Sequence, residues 1–167
     1  MLFKGVVAVD SQWGYSKDNL IPWNFKKDLE NFKKMTVNSN VLMGYNTYMD
    51  IAQRRSYPLK NKILLKDRLS VILTSKNDLH LSDDCIVVHS FDEVKNLYLK
   101  YDTTWFLGGF SIFDYGLNIA SEWIITTINK SYNCDKKFNH KKLKDNFIKN
   151  NEIYKDEDLT IERWITK

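Results

Sequence analysis

The chain has 167 residues, 43% of them apolar and 14% aromatic, which fits one folded domain over residues 1–167 and excludes a disordered chain. Its formal charge of +4 is mild and its lysines are scattered, which argues against a nucleic-acid surface and suits a small anionic ligand. Cys85 and Cys134 stand far apart in no metal-ligand spacing, and no apolar run approaches a membrane span or a signal peptide, so a metal-free, monomeric, cytoplasmic protein without nucleic-acid or membrane partners is expected.

Residues 2–9 are an almost unbroken apolar run, with Lys4 as the interruption, and read as a central strand buried on both faces. Gly14, Ser16, Asp18 and Asn19 make residues 10–20 a loop that either covers a site or simply connects. Ile21, Pro22 and Trp23 lead into a helix for which Asn24 is the expected N-cap. At about 100° per residue, Phe25, Leu29, Phe32 and Met35 share one stripe. Asp28 falls inside that stripe, while Lys26, Lys27, Glu30, Lys33 and Lys34 lie opposite. A lone carboxylate on an apolar stripe has a partner or awaits one, although an acid in a first helical turn also complements the helix dipole.

Asn40 to Met43 read as a second strand, broken at Gly44 and followed by a helix starting at Tyr45. Strand, glycine and helix N-terminus together offer backbone N–H groups to a phosphate, though many such turns bind nothing. Residues 52–67, with Arg54, Arg55, Lys60, Lys62 and Lys66, read as a solvated basic loop. A strand over 70–75 ends in Thr74, Ser75 and Lys76, which suit a phosphate or a plain turn. Cys85 to Val88 is a short strand, 91–101 an amphipathic helix on Val94, Leu97, Tyr98 and Tyr101, and 103–107 another strand. Gly108 and Gly109 then precede a helix over 110–117, repeating the strand–glycine–helix arrangement. Strands over 122–130 and 159–166 are expected to pair antiparallel at one end of the sheet. The fold class is therefore α/β: a mostly parallel central sheet of about eight strands with flanking helices and an antiparallel C-terminal strand pair. Ligands of such sheets sit beyond the carboxyl ends of the strands, where Ala8, Gly44, Thr74 and Gly108 collect.

These residues resemble the dihydrofolate reductase family. The resemblance rests on Ile21-Pro22-Trp23 with Asp28, Leu29 and Phe32, on Val6-Val7-Ala8-Val9, and on Val41 to Tyr48 with Gly44. It continues through Arg68 ahead of Val71 to Ser75, Phe106-Leu107-Gly108-Gly109 with Ile112 and Phe113, and Trp123 to Thr126. It implies reduction of dihydrofolate to tetrahydrofolate by NADPH, in support of one-carbon metabolism and of thymidylate and purine synthesis. It also implies catalytic roles for Asp28, Trp23 and Thr126. Asp28 would hold the pterin amino group and ring N–H, Thr126 would brace Asp28, and Trp23 would hold an ordered water. Val6, Leu29, Phe32, Ile51, Leu65, Leu107 and Phe113 would line the substrate, and Arg68 would clamp its glutamate α-carboxylate. Val7, Ala8, Ser16, Ile21, Leu107, Gly108, Gly109, Phe110, Ser111 and Ile112 would border the nicotinamide and pyrophosphate. Gly44, Tyr45, Asn46, Thr47, Leu73, Thr74, Ser75 and Lys76 would take the cofactor's phosphates and adenosine side.

The chain departs from the family pattern at Tyr45-Asn46 and Ser111, where basic residues are usual, so Lys76 is the nearest cation for a 2′-phosphate. Ser16 replaces a common glycine, Phe113 a common tyrosine, and the 52–67 connection is long. Two alternatives compete: a riboflavin-pathway reductase of related fold, which would have no use for Arg68, and an aromatic nucleic-acid-binding module, which would need its aromatics exposed.

Overall fold

In the computed structural model, which describes residues 1–54, 63–97 and 99–167, the apolar run Leu2–Val9 forms β1 inside an eight-stranded sheet. The other elements are β2 (Gly14–Ser16), α1 (Lys26–Thr36), β3 (Ser39–Gly44), α2 (Tyr45–Arg54), β4 (Arg68–Leu73), β5 (Cys85–Val88) and α3 (Phe91–Asn96). After them come β6 (Thr103–Gly108), α4 (Phe110–Ile119), β7 (Glu122–Ile128), β8 (Lys136–Lys137), α5 (His140–Asn146), β9 (Phe147–Lys155) and β10 (Leu159–Thr166). The sheet order is β5-β4-β3-β6-β1-β7-β10-β9, parallel from β5 to β7 and antiparallel beyond it, while β2 and β8 form a separate ribbon.

Alternation along the strands builds two apolar layers. Val7, Val9, Leu42, Val71, Phe106, Trp123 and Ile125 face one side, where α4 supplies Ile112, Phe113 and Leu117. Val41, Met43, Ile72, Trp105, Ile124 and Ile161 face the other, where α2 supplies Tyr48 and Ala52, α1 adds Phe32 and Met35, and Phe25 just ahead of α1 joins them. Burying each large apolar side chain of this kind contributes about 1.5–3 kcal/mol, so both faces hold their helices firmly.

Several elements differ from the sequence reading. The N-cap of α1 is Phe25, not Asn24: buried Trp23 pins the segment, and Phe25 is still extended at φ −105 and ψ 120. Leu29 is 53% exposed and lies off the buried stripe. The helix after Gly44 runs on to Arg54, so the long connection starts later; residues 55–62 of it, with Arg55, Lys60 and Lys62, lie outside the described residues. Strand β4 begins at Arg68 and ends before Thr74. Helix α3 stops at Asn96, because the chain turns out at Leu97 to bury Leu99; Tyr98 lies outside the described residues. Strand β10 pairs antiparallel with β7 as expected, but an unexpected strand, β9, pairs with its other side and forms the edge of the sheet. Both faces of β9 are exposed, Ile148 at 48% and Ile153 at 42%, so it carries no one-sided alternation to read. Helix α5 buries only Leu143 among lysines.

Candidate active site

Parallel pairing sets Gly44 beside Leu73, Met43 beside Gly108 and Ala8 beside Thr126, so the carboxyl ends of β1, β3, β4, β6 and β7 line one edge. On the face that carries α1 and α2, Val6, Ala8, Phe32, Ile51 and Leu107 are half-buried around buried Trp23 and Leu65. Seven of the residues expected around a flat ligand thus share one partly open apolar trough. Asp28 projects into it from the first turn of α1. Burial pushes its carboxyl above the ordinary range, and a hydrogen bond from the Thr126 hydroxyl only partly offsets this. No cation among the described residues pairs with it.

Trp23 is 5% exposed and packs on Tyr132 with ring centroids 5.2 Å apart. Its indole Nε1–H has no partner among the described residues. Arg68 is buried at the start of β4; its Nη1 donates to Thr36 Oγ1 at 3.1 Å and its Nε to the Lys66 carbonyl at 3.0 Å. The guanidinium carbon lies 5.9 Å from the Phe32 ring centroid, and its contact with Thr36 puts it at the C-terminal end of α1, opposite the end that Trp23 precedes.

Along the same edge, the N-termini of α2 and α4 follow Gly44 and Gly109 directly. A side chain at Gly109 would meet nothing within 4 Å, whereas Gly108 has φ +111 and a Cβ there would lie 2.7 Å from Phe113 Cζ. The glycine pair therefore presents bare backbone on an open side while resting on an aromatic ring. Gly44 lies close by, a Cβ there reaching 3.6 Å from Gly109 N and 3.9 Å from Ile112 Cδ1. Asn46, Ser75, Phe110 and Ser111 are exposed around these turns, and Thr47, Leu73 and Thr74 are half-buried. Lys76 Nζ sits 4.2 Å from the Tyr45 ring centroid, which holds a cation over the start of α2.

The structure separates some expected site residues from the trough. Phe113 and Val7 belong to the opposite layer, so Phe113 supports Gly108 from beneath and does not line the substrate side. The Ser16 hydroxyl donates to the Leu20 carbonyl at 3.4 Å and so bonds within its own loop. Ile21 is 40% exposed, as Leu29 is on its own helix.

Asp10 was not among the expected residues. It is 1% exposed, and its carboxylate accepts from the N–H groups of Gln12 at 2.9 Å, Gly14 at 2.8 Å and Tyr132 at 3.0 Å. Burial alone would raise its pKa, but these amides and the Cys134 thiol bring it below the ordinary value. Asp10 thus ties the 10–20 loop to the segment after β7. The tie is extended by β2–β8 pairing and by Asp18 N–H donating to Asp135 Oδ2 at 2.9 Å. The signal that could have found it is an acid placed directly after the apolar run that ends in fully buried Val9, where an uncompensated charge would be costly.

A family model described as dihydrofolate reductase matches residues 2–164. The dihydrofolate reductase of Ureaplasma parvum is 32% identical over 122 residues, 73% of this chain and 72% of that protein. That of Bacillus subtilis is 27% identical over 133 residues, 80% of this chain and 73% of that protein. The fold is also that of the Enterococcus faecalis dihydrofolate reductase complexed with NADP(H) and RAB-propyl, with a TM-score of 0.81, 22% identity and coverage of 99% of this chain and 96% of that one. Since the family match runs from the first strand to the last, the chain belongs to the dihydrofolate reductase family.

Proposed function

We propose that this chain carries out its family's reaction, the NADPH-dependent reduction of dihydrofolate to tetrahydrofolate, in the trough above Asp28. The observation that carries the assignment is the desolvated Asp28 carboxyl, braced by Thr126 and without a cation among the described residues, between half-buried apolar walls. Such a group pairs with the amino group and ring N–H of a flat heterocycle and biases the ring toward taking a proton. Val6, Ala8, Phe32, Ile51, Leu65 and Leu107 form its walls, and Leu29 borders the opening. The free indole N–H of Trp23 suits a bridging water near the same ring. Arg68, held in one plane by Thr36 and Lys66, suits the bidentate grip of a carboxylate at the far end.

The site fits a dinucleotide: open glycine backbone at Gly108-Gly109, two helix N-termini for a pyrophosphate, and Thr74, Ser75 and Lys76 beyond β4. NADPH, when bound, supplies the hydride, and the chain's own contribution is to align two rings and exclude water. Ala8, Ile21, Leu107, Phe110 and Ser111 border that ring and pyrophosphate, Val7 and Ile112 support it from the opposite layer, Ser16 shapes the loop above it, and Gly44, Tyr45, Asn46, Thr47 and Leu73 flank the phosphates. A monomer in a reducing, cytoplasmic setting is part of this reading, and the free thiols of Cys85 and Cys134 support it. The test is NADPH oxidation by the purified chain with dihydrofolate, with tetrahydrofolate identified as product. Turnover of a riboflavin-pathway pyrimidine in preference to dihydrofolate would overturn the assignment.

A further inference from the structure

The last residue of α2 reaches across to the segment that precedes α1. Arg54 Nε donates to Asp50 Oδ1 at 3.1 Å, one helical turn earlier, and Arg54 Nη2 donates to the carbonyl oxygen of Ile21. Asp50 is 6% exposed, so its charge is held in place, and in turn it fixes the arginine's orientation. Ile21 is the last residue before Pro22 and Trp23, and Pro22 has no N–H with which to secure the segment. Ile51, beside Asp50, is one wall of the trough, and Trp23 belongs to the same cluster. The ion pair therefore joins the α2 wall to the lead-in of the α1 wall.

We infer that Asp50 and Arg54 form a positioning pair that holds the Ile21 carbonyl, and through it Trp23, in the geometry needed for hydride transfer. The inference rests on the proposed function, because it assigns the pair a purpose in that same trough. Arg54 touches neither reacting ring. A guanidinium is suited to the task because its planar fork satisfies a carboxylate and a carbonyl at once, whereas a lysine meets them with one flexible point charge. The same contacts commit the Arg54 guanidinium to Asp50 and to the Ile21 carbonyl.

The test uses Arg54→Met, Asp50→Asn, the double variant and Arg54→Lys, with hydride transfer measured in single turnovers at saturating dihydrofolate and NADPH. Arg54→Met is expected to slow the transfer about tenfold, the worth of one charge-assisted hydrogen bond. Arg54→Lys should recover part of the loss, and the double variant should be no slower than the worse single one. Hydrogen exchange of the 19–24 segment without ligands should quicken in Arg54→Met while the core strands exchange as before, which a loss of global stability would not produce. Arg54 is the last helical residue and its side chain is 37% exposed, so its truncation leaves the core intact. Transfer within twofold of wild type in Arg54→Met, additive losses in the double variant, or unchanged exchange at 19–24 would each overturn the inference. Absence of NADPH-dependent dihydrofolate reduction by the wild type would instead remove the proposed function.

Discussion

Replacing Asp28 by asparagine is expected to separate activity from stability. The carboxyl is desolvated, and among the described residues Thr126 is its one hydrogen-bonding neighbour. With dihydrofolate bound, two hydrogen bonds to its charge, from the pterin amino group and a ring N–H, contribute about 1.5–3 kcal/mol each. Their loss lowers kcat/KM by about 10²–10⁴-fold. Stability should move the other way. A carboxyl whose pKa is raised on folding stabilises the fold below its unfolded value, and that contribution is lost as pH rises through the folded value. Above that folded value the ionised Asp28 is a burden on the unliganded protein, and Asp28→Asn should melt at or above wild type there. That advantage should shrink as acidification protonates the wild-type group. The assay pairs kcat/KM for dihydrofolate across pH with thermal melts of both proteins. The wild-type pH profile should show a group above the ordinary carboxylate range that is missing from the variant. If Asp28→Asn melts well below wild type while keeping near-full turnover, Asp28 is a structural residue and the reasoning fails.

Arg68→Leu should raise the KM for dihydrofolate by an amount worth about 2–5 kcal/mol but leave a pterin lacking the glutamate tail largely unaffected; equal penalties would refute the carboxylate role. Because Arg68 also bonds Thr36 and Lys66, the variant should melt lower as well. Lys76→Ala should cut the preference for NADPH over NADH about tenfold by weakening NADPH alone, and the preference should already fall with added salt. Unchanged ratios of kcat/KM for the two cofactors would show that another cation serves the 2′-phosphate. Asp10→Asn should destabilise the protein by about 2 kcal/mol at neutral pH, since its charge accepts three backbone amides. Its pKa is lowered on folding, so that difference should fade as pH falls through the folded value, which melts across acid pH will read.

The parallel core of the fold was legible because buried strands are continuous apolar runs and their turns carry glycine. Leu2–Val9, Ser39–Gly44 and Glu122–Ile128 match their expected strands to within a residue or two. Strand β9 was not legible, because an edge strand exposed on both faces has no hydrophobic alternation to show. Asp28 stood out by helical phase alone, but phase also promised Leu29 to the same stripe. The structure leaves Leu29 outside it, because the helix packs on the flank that carries Asp28, Phe32 and Met35. Phe113 was misplaced for a similar reason: its position along the chain is right, but which layer a helix covers depends on the crossover. Asp10, Asp50 and Arg54 act through contacts more than ten residues away or through a helix end that sequence propensity put in a loop. Only folding brings Tyr132 to Asp10 or Ile21 to Arg54.

The most direct measurement is a crystal structure with folate and NADP bound together. The account predicts the pterin in the trough with its amino group on the Asp28 carboxylate, the glutamate α-carboxylate on Arg68, and the nicotinamide against Ala8 and Gly108. A pterin bound elsewhere, or seated in the trough with Asp28 touching none of its nitrogens, would contradict it.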